Sequence, residues 1–278
     1  MKKIIITFIW LFVHSLAYGQ ASPTSFVMDT ALIKVGYERI KLLDTLDVNN
    51  IKVDYLTLQA GKKGAAFYSE KRRKESGHLK TNDEYLLKAI KNHSIIDDLS
   101  KLERDEIYRN HDMMQTWSLQ RFDLTSWIIY EDIEKPVWNI TGEADSILGF
   151  TCLKAETSFR GREWTAFFTP EIPIQEGPWK LYGLPGLILK VYDSKKHYIY
   201  EAKDINTVSP GLVEYVNYDD RFVIKDRKKA LRMRDESKRK DFRALVSNLT
   251  GVKLNKPKDD SEAKTKNHDF EETDYPHE

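Results

Sequence analysis

Between Ala31 and Ser69 apolar and polar side chains nearly alternate, in ALIKVGYERIKLLD, IKVDYLTLQAG and AAFYS, with breaks at Asp47-Val48-Asn49-Asn50 and Gly61-Lys62-Lys63-Gly64. A period of two turns one face of each segment toward a core and the other toward water, so strands with hairpin connections are predicted. After the polar run KRRKESGHLKTND, the residues Leu86, Leu87, Ile90, Ile95, Ile96 and Leu99 recur at helical spacing behind the capping residue Asn82 and predict a helix near 82–100. Strand patterns then return in MMQTWSLQRF, TSWIIYED, VWNITGE, ILGFTCLKAETSF, EWTAFFT, LILKVYD and YIYEAKDI. The turns between them are short, which favours antiparallel pairing, because parallel neighbours need crossovers of a dozen residues or more. Ala230, Leu231, Phe242, Leu245, Val246 and Leu249 form a thin apolar stripe among many Lys and Arg, predicting a basic helix near 223–249. Beyond Gly251 the chain has almost no apolar content, so residues 255–278 are expected to form a disordered polar tail that is dispensable for folding.

Taken together, the pattern predicts an α+β protein, mostly β, with a curved antiparallel sheet and two flanking helices in a single domain over 20–254. A length of 278 residues at 41% hydrophobic is enough for one substantial core. The net charge of +1, from 44 basic and 43 acidic residues, removes any global electrostatic reason for a nucleic-acid partner. At the start, MKK precedes an apolar run from Ile4 to Ala17 and the small residues Ala17 and Gly19, the pattern of a cleavable signal over 1–19. The run is too short to anchor the chain, and no later stretch is apolar enough to span a bilayer. An exported, soluble protein of the periplasm or the outer-membrane or extracellular side is therefore expected. Its single cysteine, Cys152, offers no disulfide within one chain.

The stretch Gly177–Asp193, GPWKLYGLPGLILKVYD, concentrates backbone-special residues in front of a strand. In Leu184-Pro185-Gly186-Leu187 the proline fits the second corner and the glycine the third corner of a type II turn, with positive φ expected at Gly186. Trp179 and Tyr182, bracketed by Gly177 and Gly183, form either a ligand platform or a plug for the sheet end. Arg160-Gly161-Arg162 reads as a hairpin turn whose arginines are solvated, or paired with Glu163, Glu171 or a ligand carboxylate. Glu171, between Pro170 and Pro173, is held in a stiff loop. Arg162, Trp164, Phe168, Glu171, Trp179, Tyr182, Leu184, Pro185 and Gly186 are accordingly the candidate binding residues, since aromatic anchors with one fixed carboxylate describe recognition better than catalysis. Cys152 shares a strand face with Phe150 and reads as a small buried side chain; the competing enzyme reading would use Cys152 or Glu171 as the reactive group. His78, His93, His111, His197, His268 and His277 show no spacing typical of zinc, and no phosphate-binding glycine loop or serine elbow is present, so no metal, cofactor or catalytic residue is predicted.

The hexapeptide GLPGLI at Gly183–Ile188 resembles the namesake motif of the GLPGLI family of bacterial secreted proteins, and the likeness extends over Trp138–Asp193. LTLQAGKKGAAFYSE is similar to that family's N-terminal strand pair. The resemblance implies a secreted protein of Gram-negative bacteria and no agreed biochemical function, so it transfers no catalytic residue. A fold-level analogy is the half-barrel sheet of periplasmic lipoprotein carriers. On these grounds the chain is expected to be an envelope accessory protein receiving an apolar or peptidic ligand, or docking an outer-membrane protein partner. The alternatives are an envelope enzyme and a purely structural surface component.

Overall fold

The computed structural model describes residues 24–74, 105–121, 127–132, 134–217, 221–239 and 271–275. The leader segment 1–19, the helix expected near 82–100 and most of the expected polar tail lie outside these residues.

Two antiparallel meanders form one open, curved sheet. The first comprises β2 (Ile33–Asp44), β3 (Asp47–Ala60), β4 (Gly64–Tyr68), β5 (Glu106–Asn110), β6 (Gln115–Arg121) and β7 (Trp127–Glu131). The chain then crosses to the opposite edge and returns through β8 (Asn139–Ile147), β9 (Phe150–Phe159), β10 (Arg162–Thr169), β11 (Leu187–Asp193) and β12 (Tyr198–Asn206). Pairing of β12 with β2 joins the two meanders, and β14 (Arg221–Val223) adds to β7 in parallel. A separate ribbon of β1 (Thr24–Thr30) and β13 (Leu212–Asn217) covers the β4–β7 end, where Val213 packs with Ala66, Tyr108 and Leu119. The helix α1 (Arg227–Arg239) follows β14. Its start lies four residues beyond 223, and Arg221–Val223 is strand.

The alternation in sequence becomes burial in space. On β2 the side chains of Ile33, Val35, Tyr37 and Arg39 point inward, and on β10 those of Arg162, Trp164, Ala166 and Phe168 do. The first break lies at Thr45-Leu46 rather than at 47–50, because β2 and β3 continue pairing as far as Asp44 and Asp47. At the β9–β10 connection both Arg160 (φ 56°) and Gly161 (φ 79°) are left-handed, the geometry that matches the twist of a two-residue hairpin.

The Leu184–Leu187 turn differs from the type II expectation. Gly186 is not among the glycines with positive φ; that conformation belongs to Gly183, at φ 92°. Instead, the Gly186 amide donates to the Leu184 carbonyl at 2.7 Å, closing a three-residue turn centred on Pro185, whose ring presets the central φ. Glycine stands at 186 for space: a Cβ there would overlap the Thr169 carbonyl oxygen as the β10 backbone passes. Gly177 is crowded in the same way by the Leu181 carbonyl. The motif thus presses the loop 172–186 against the sheet, where Leu187 donates to the Ile172 carbonyl and Ile188 to that of Glu176.

Because the Gly186 restriction is steric, even the single methyl of Gly186→Ala is expected to destabilise the protein by about 1–3 kcal/mol. Pro185→Ala, acting mainly through the unfolded chain, is expected to cost about 0.4–1 kcal/mol. Urea unfolding midpoints of the two variants check the order; a Gly186→Ala chain with the parent midpoint would contradict the close approach.

Candidate functional site

The loop between β10 and β11 carries six consecutive buried residues, Glu176 to Leu181. A left-handed backbone at Trp179 (φ 54°) makes it possible, turning both Trp179 and Lys180 into the interior. Such a conformation is strained for a bulky residue. Ring packing of Trp179 on Trp164 (5.6 Å between centroids) and Phe159 (6.2 Å) offsets the strain, as does the bond its carbonyl accepts from Arg109 at 2.7 Å.

Arg109 on β5 is the first anchor of this loop. Its guanidinium donates to Glu176 Oε2 (2.6 Å) and the Gly177 carbonyl (3.0 Å) and stacks over Tyr182. The second carboxylate oxygen of Glu176 faces His111 Nε2 at 2.8 Å, while His111 Nδ1 lies 3.0 Å from the Lys62 carbonyl. A carbonyl can only accept, so Nδ1 carries a proton; the carboxylate then favours a second proton on Nε2, and the imidazolium form is held. Burial would raise the Glu176 pKa, but Arg109 and His111 outweigh it and bring the carboxyl below its ordinary range. The bond to Glu176, against burial, raises that of His111.

The second anchor is Lys180, whose side chain is 2% exposed. Its ammonium lies 2.9 Å from Asp132 Oδ2 at the end of β7, 2.6 Å from Glu272 Oε1, and 2.9 Å from the Tyr130 hydroxyl. Burial would lower the pKa of Lys180, but Asp132 and Glu272 raise it well above the ordinary lysine value, so it stays charged. Burial pushes the Tyr130 phenol up to about 12. Around this centre Arg160 pairs with Asp132 and Glu134, and Arg162 with Asp193 at 2.9 Å.

Against this ionic centre lies Glu271–Tyr275, a part of the expected polar tail. Glu272 and Tyr275 are 2% and 4% exposed. The Glu271 carboxylate accepts from the Tyr200 hydroxyl and its carbonyl from Arg162. The Glu272 carboxylate meets Lys180 and Arg227; Asp274 meets Arg227, with Arg160 3.7 Å away. The Thr273 amide donates to the Arg160 carbonyl (2.9 Å) and its hydroxyl to that of Gly161 (2.8 Å). The Tyr275 hydroxyl accepts from Arg234 (2.8 Å) and donates to Asp235 (2.6 Å) on α1. These contacts are made by charge and one phenol instead of aliphatic burial; the signal for them in the sequence is the aromatic Tyr275 directly after the acids.

The predicted binding residues fall into two groups. Trp164, Phe168, Trp179 and Leu184 belong to the main core, so the plug reading of the glycine-bracketed aromatics describes them better than a ligand platform. Arg162 is buried and pairs with Asp193, and Arg160 is buried and pairs with Asp132 and Glu134. Glu171 and Pro185 are exposed, Tyr182 is half-buried and Gly186 is buried. Glu171 accepts the Thr151 amide at 2.8 Å and so ties the loop to β9. Cys152 is fully buried and burial pushes its thiol up to about 11, which leaves it a poor nucleophile. Arg109, Asp132, Glu176, Lys180, Arg227 and Arg234 were missed as site residues, since each acts through a partner distant in sequence.

The fold and site thus define an open antiparallel-sheet protein with a buried network of ion pairs, and among the described residues no helix is long and apolar enough to cross a membrane. Residues 160–190, which carry the hairpin turn, the buried loop and the start of β11, match the family model described as "Protein of unknown function (Porph_ging)", the GLPGLI family, in agreement with the motif at Gly183–Ile188. No curated protein matches the chain. Among solved structures, PNGF-II in a P21 crystal form aligns at 13% identity with TM-score 0.50, covering 74% of this chain and 33% of its own. PNGF-II in a C2 form aligns at 15% identity with TM-score 0.50, covering 76% and 33%. The chain therefore spans about a third of the length of these neighbours, and at such identity the likeness is one of fold.

Removing one partner from a buried pair strands the other charge, at a cost of about 3–5 kcal/mol. Lys180→Met, of similar volume, is expected to destabilise by that order, and a chain ending at Phe270 by a comparable amount; thermal or urea unfolding reads both. For His111, whose folded pKa lies above the unfolded value of 6.5, the stability it contributes is fully present below that value and lost as pH rises through the folded one. The parent is therefore expected to lose stability above about pH 6.5 relative to His111→Gln, a difference seen by repeating the urea midpoints from pH 5 to 9.

Proposed function

We propose that the chain is an exported envelope binding protein without catalytic activity, and that its ligand is a peptide segment held in the groove formed by Arg160, Arg162, Lys180, Arg227 and Arg234. The observation that carries this reading is the groove's present occupant: five residues of tail, threaded past the β9–β10 turn and held through side chains and backbone alike. Main-chain bonds to a hairpin turn, with pockets for alternate side chains, are the usual physics of peptide capture. The cations favour a peptidic ligand over the apolar one, because an apolar guest would replace both carboxylates that Arg227 holds and leave Lys180 and Arg160 with one carboxylate fewer. Leader-like residues 1–19 and the family resemblance support export to the periplasm or the outer-membrane side. The enzyme alternative loses ground with the buried, weakly acidic Cys152 thiol and with Glu171 engaged on a backbone amide.

The reading is tested on the full chain with its tail loosened by Glu272→Gln and Asp274→Asn, titrated calorimetrically with the synthetic peptide NHDFEETDYPHE, the sequence of residues 267–278. Saturable one-to-one binding is expected, at micromolar peptide. A cooperatively melting variant that takes up no peptide at millimolar concentration would refute a binding groove and leave the tail as a fixed structural strap.

A further inference from the structure

Resting on that reading, we propose that the groove selects its ligand by pattern: two carboxylates two residues apart, followed directly by a tyrosine. The partner is then a polypeptide presenting such a segment, with which the chain's own tail competes from within.

The two arms of one guanidinium set the spacing. Arg227 Nη1 holds Glu272 and Nη2 holds Asp274, so a rigid planar fork spans the pair from one side. From the opposite side Lys180 holds Glu272, and Arg160 reaches both carboxylates, at 3.9 Å for Glu272 and 3.7 Å for Asp274. Between them Thr273 is pinned by its amide to the Arg160 carbonyl, which fixes the segment's depth in the groove. An extra residue between the acids would leave one arm of the fork without its carboxylate, and Lys180 or Arg160 with one carboxylate fewer.

The requirement for tyrosine comes from the helix. Arg234 lies seven residues after Arg227, two turns on along the same face of α1. There the Tyr275 hydroxyl accepts from Arg234 and donates to Asp235, while Arg234 Nε also bonds Asp235 at 2.9 Å. Phenylalanine would leave both groups short of a bond, and a third carboxylate would face Asp235. Sites that bond a substrate hydroxyl reject analogues lacking it far more sharply than apolar pockets reject a missing methylene. Groove and ligand thus have complementary parts: a cationic fork for the acid pair, a donor–acceptor couple for the phenol.

The test uses the tail-loosened full chain and four peptides: NHDFEETDYPHE itself, NHDFEETGDYPHE with the acid spacing lengthened, NHDFEETDFPHE with the phenol removed, and a scrambled peptide of the same composition. Selectivity predicts that the lengthened, phenylalanine and scrambled peptides each bind at least about tenfold more weakly than the first. The unmodified chain is expected to give the same ranking at higher peptide concentrations, because the tail competes, and this serves if the loosened variant fails to fold. Equal binding of all four within about twofold would overturn the pattern while leaving the groove a general sink for acidic peptides. Failure of every peptide, in both chains, would overturn the binding reading on which the pattern rests.

Discussion

A lysine ammonium buried to 2% exposure is stable only if carboxylates follow it into the interior, and Lys180 takes two of them from segments far away in the chain. Asp132 comes from the end of β7, where the first meander stops, and Glu272 from the tail. That requirement connects the rest of the structure. It draws the crossing from β7 to β8 against the β9–β10 turn through Arg160, and it draws the tail across the mouth of the curved sheet. Lys180 itself points inward only because Trp179 adopts a left-handed backbone within a loop held by Arg109 and Glu176.

The GLPGLI residues serve this arrangement from beneath. Gly183 supplies a positive φ, Pro185 a tight three-residue turn, and Gly177 and Gly186 the space for backbones to touch. Motif and ionic centre are therefore two parts of one device: the first fixes the loop's backbone on the sheet, the second places the charges that the loop carries inward. The stretch matched by the family model, residues 160–190, runs from Arg160 through Lys180 to the start of β11.

Strands were legible in the sequence wherever one face is dry and the other wet, since a period of two survives in the text; β2 and β10 are examples. The turn at Arg160-Gly161 was legible for the same local reason, as was the burial of Cys152. At Gly186 local reading identified the right residue with the wrong cause, because Pro-Gly suits a type II turn equally well and the crowding comes from Thr169, on another strand. The ionic groove was not legible at all. Lys180 and Glu272 are 92 positions apart, Arg160 and Asp132 28, and charged residues read singly suggest solvent. The contacts of Glu271–Tyr275 were not legible either, because apolar content measures only one of the forces that act on a segment, and paired charges and a bonded phenol are others.

Amide hydrogen exchange reads whether Glu271–Tyr275 is held against Arg160. The Thr273 amide donates to the Arg160 carbonyl at 2.9 Å, beside the ladder of β9 and β10. This amide is expected to exchange far more slowly than in an unstructured peptide of the same sequence, and Lys180→Met to release its protection before that of β10. Exchange at the unstructured rate in the unmodified chain would show that the segment is not held there.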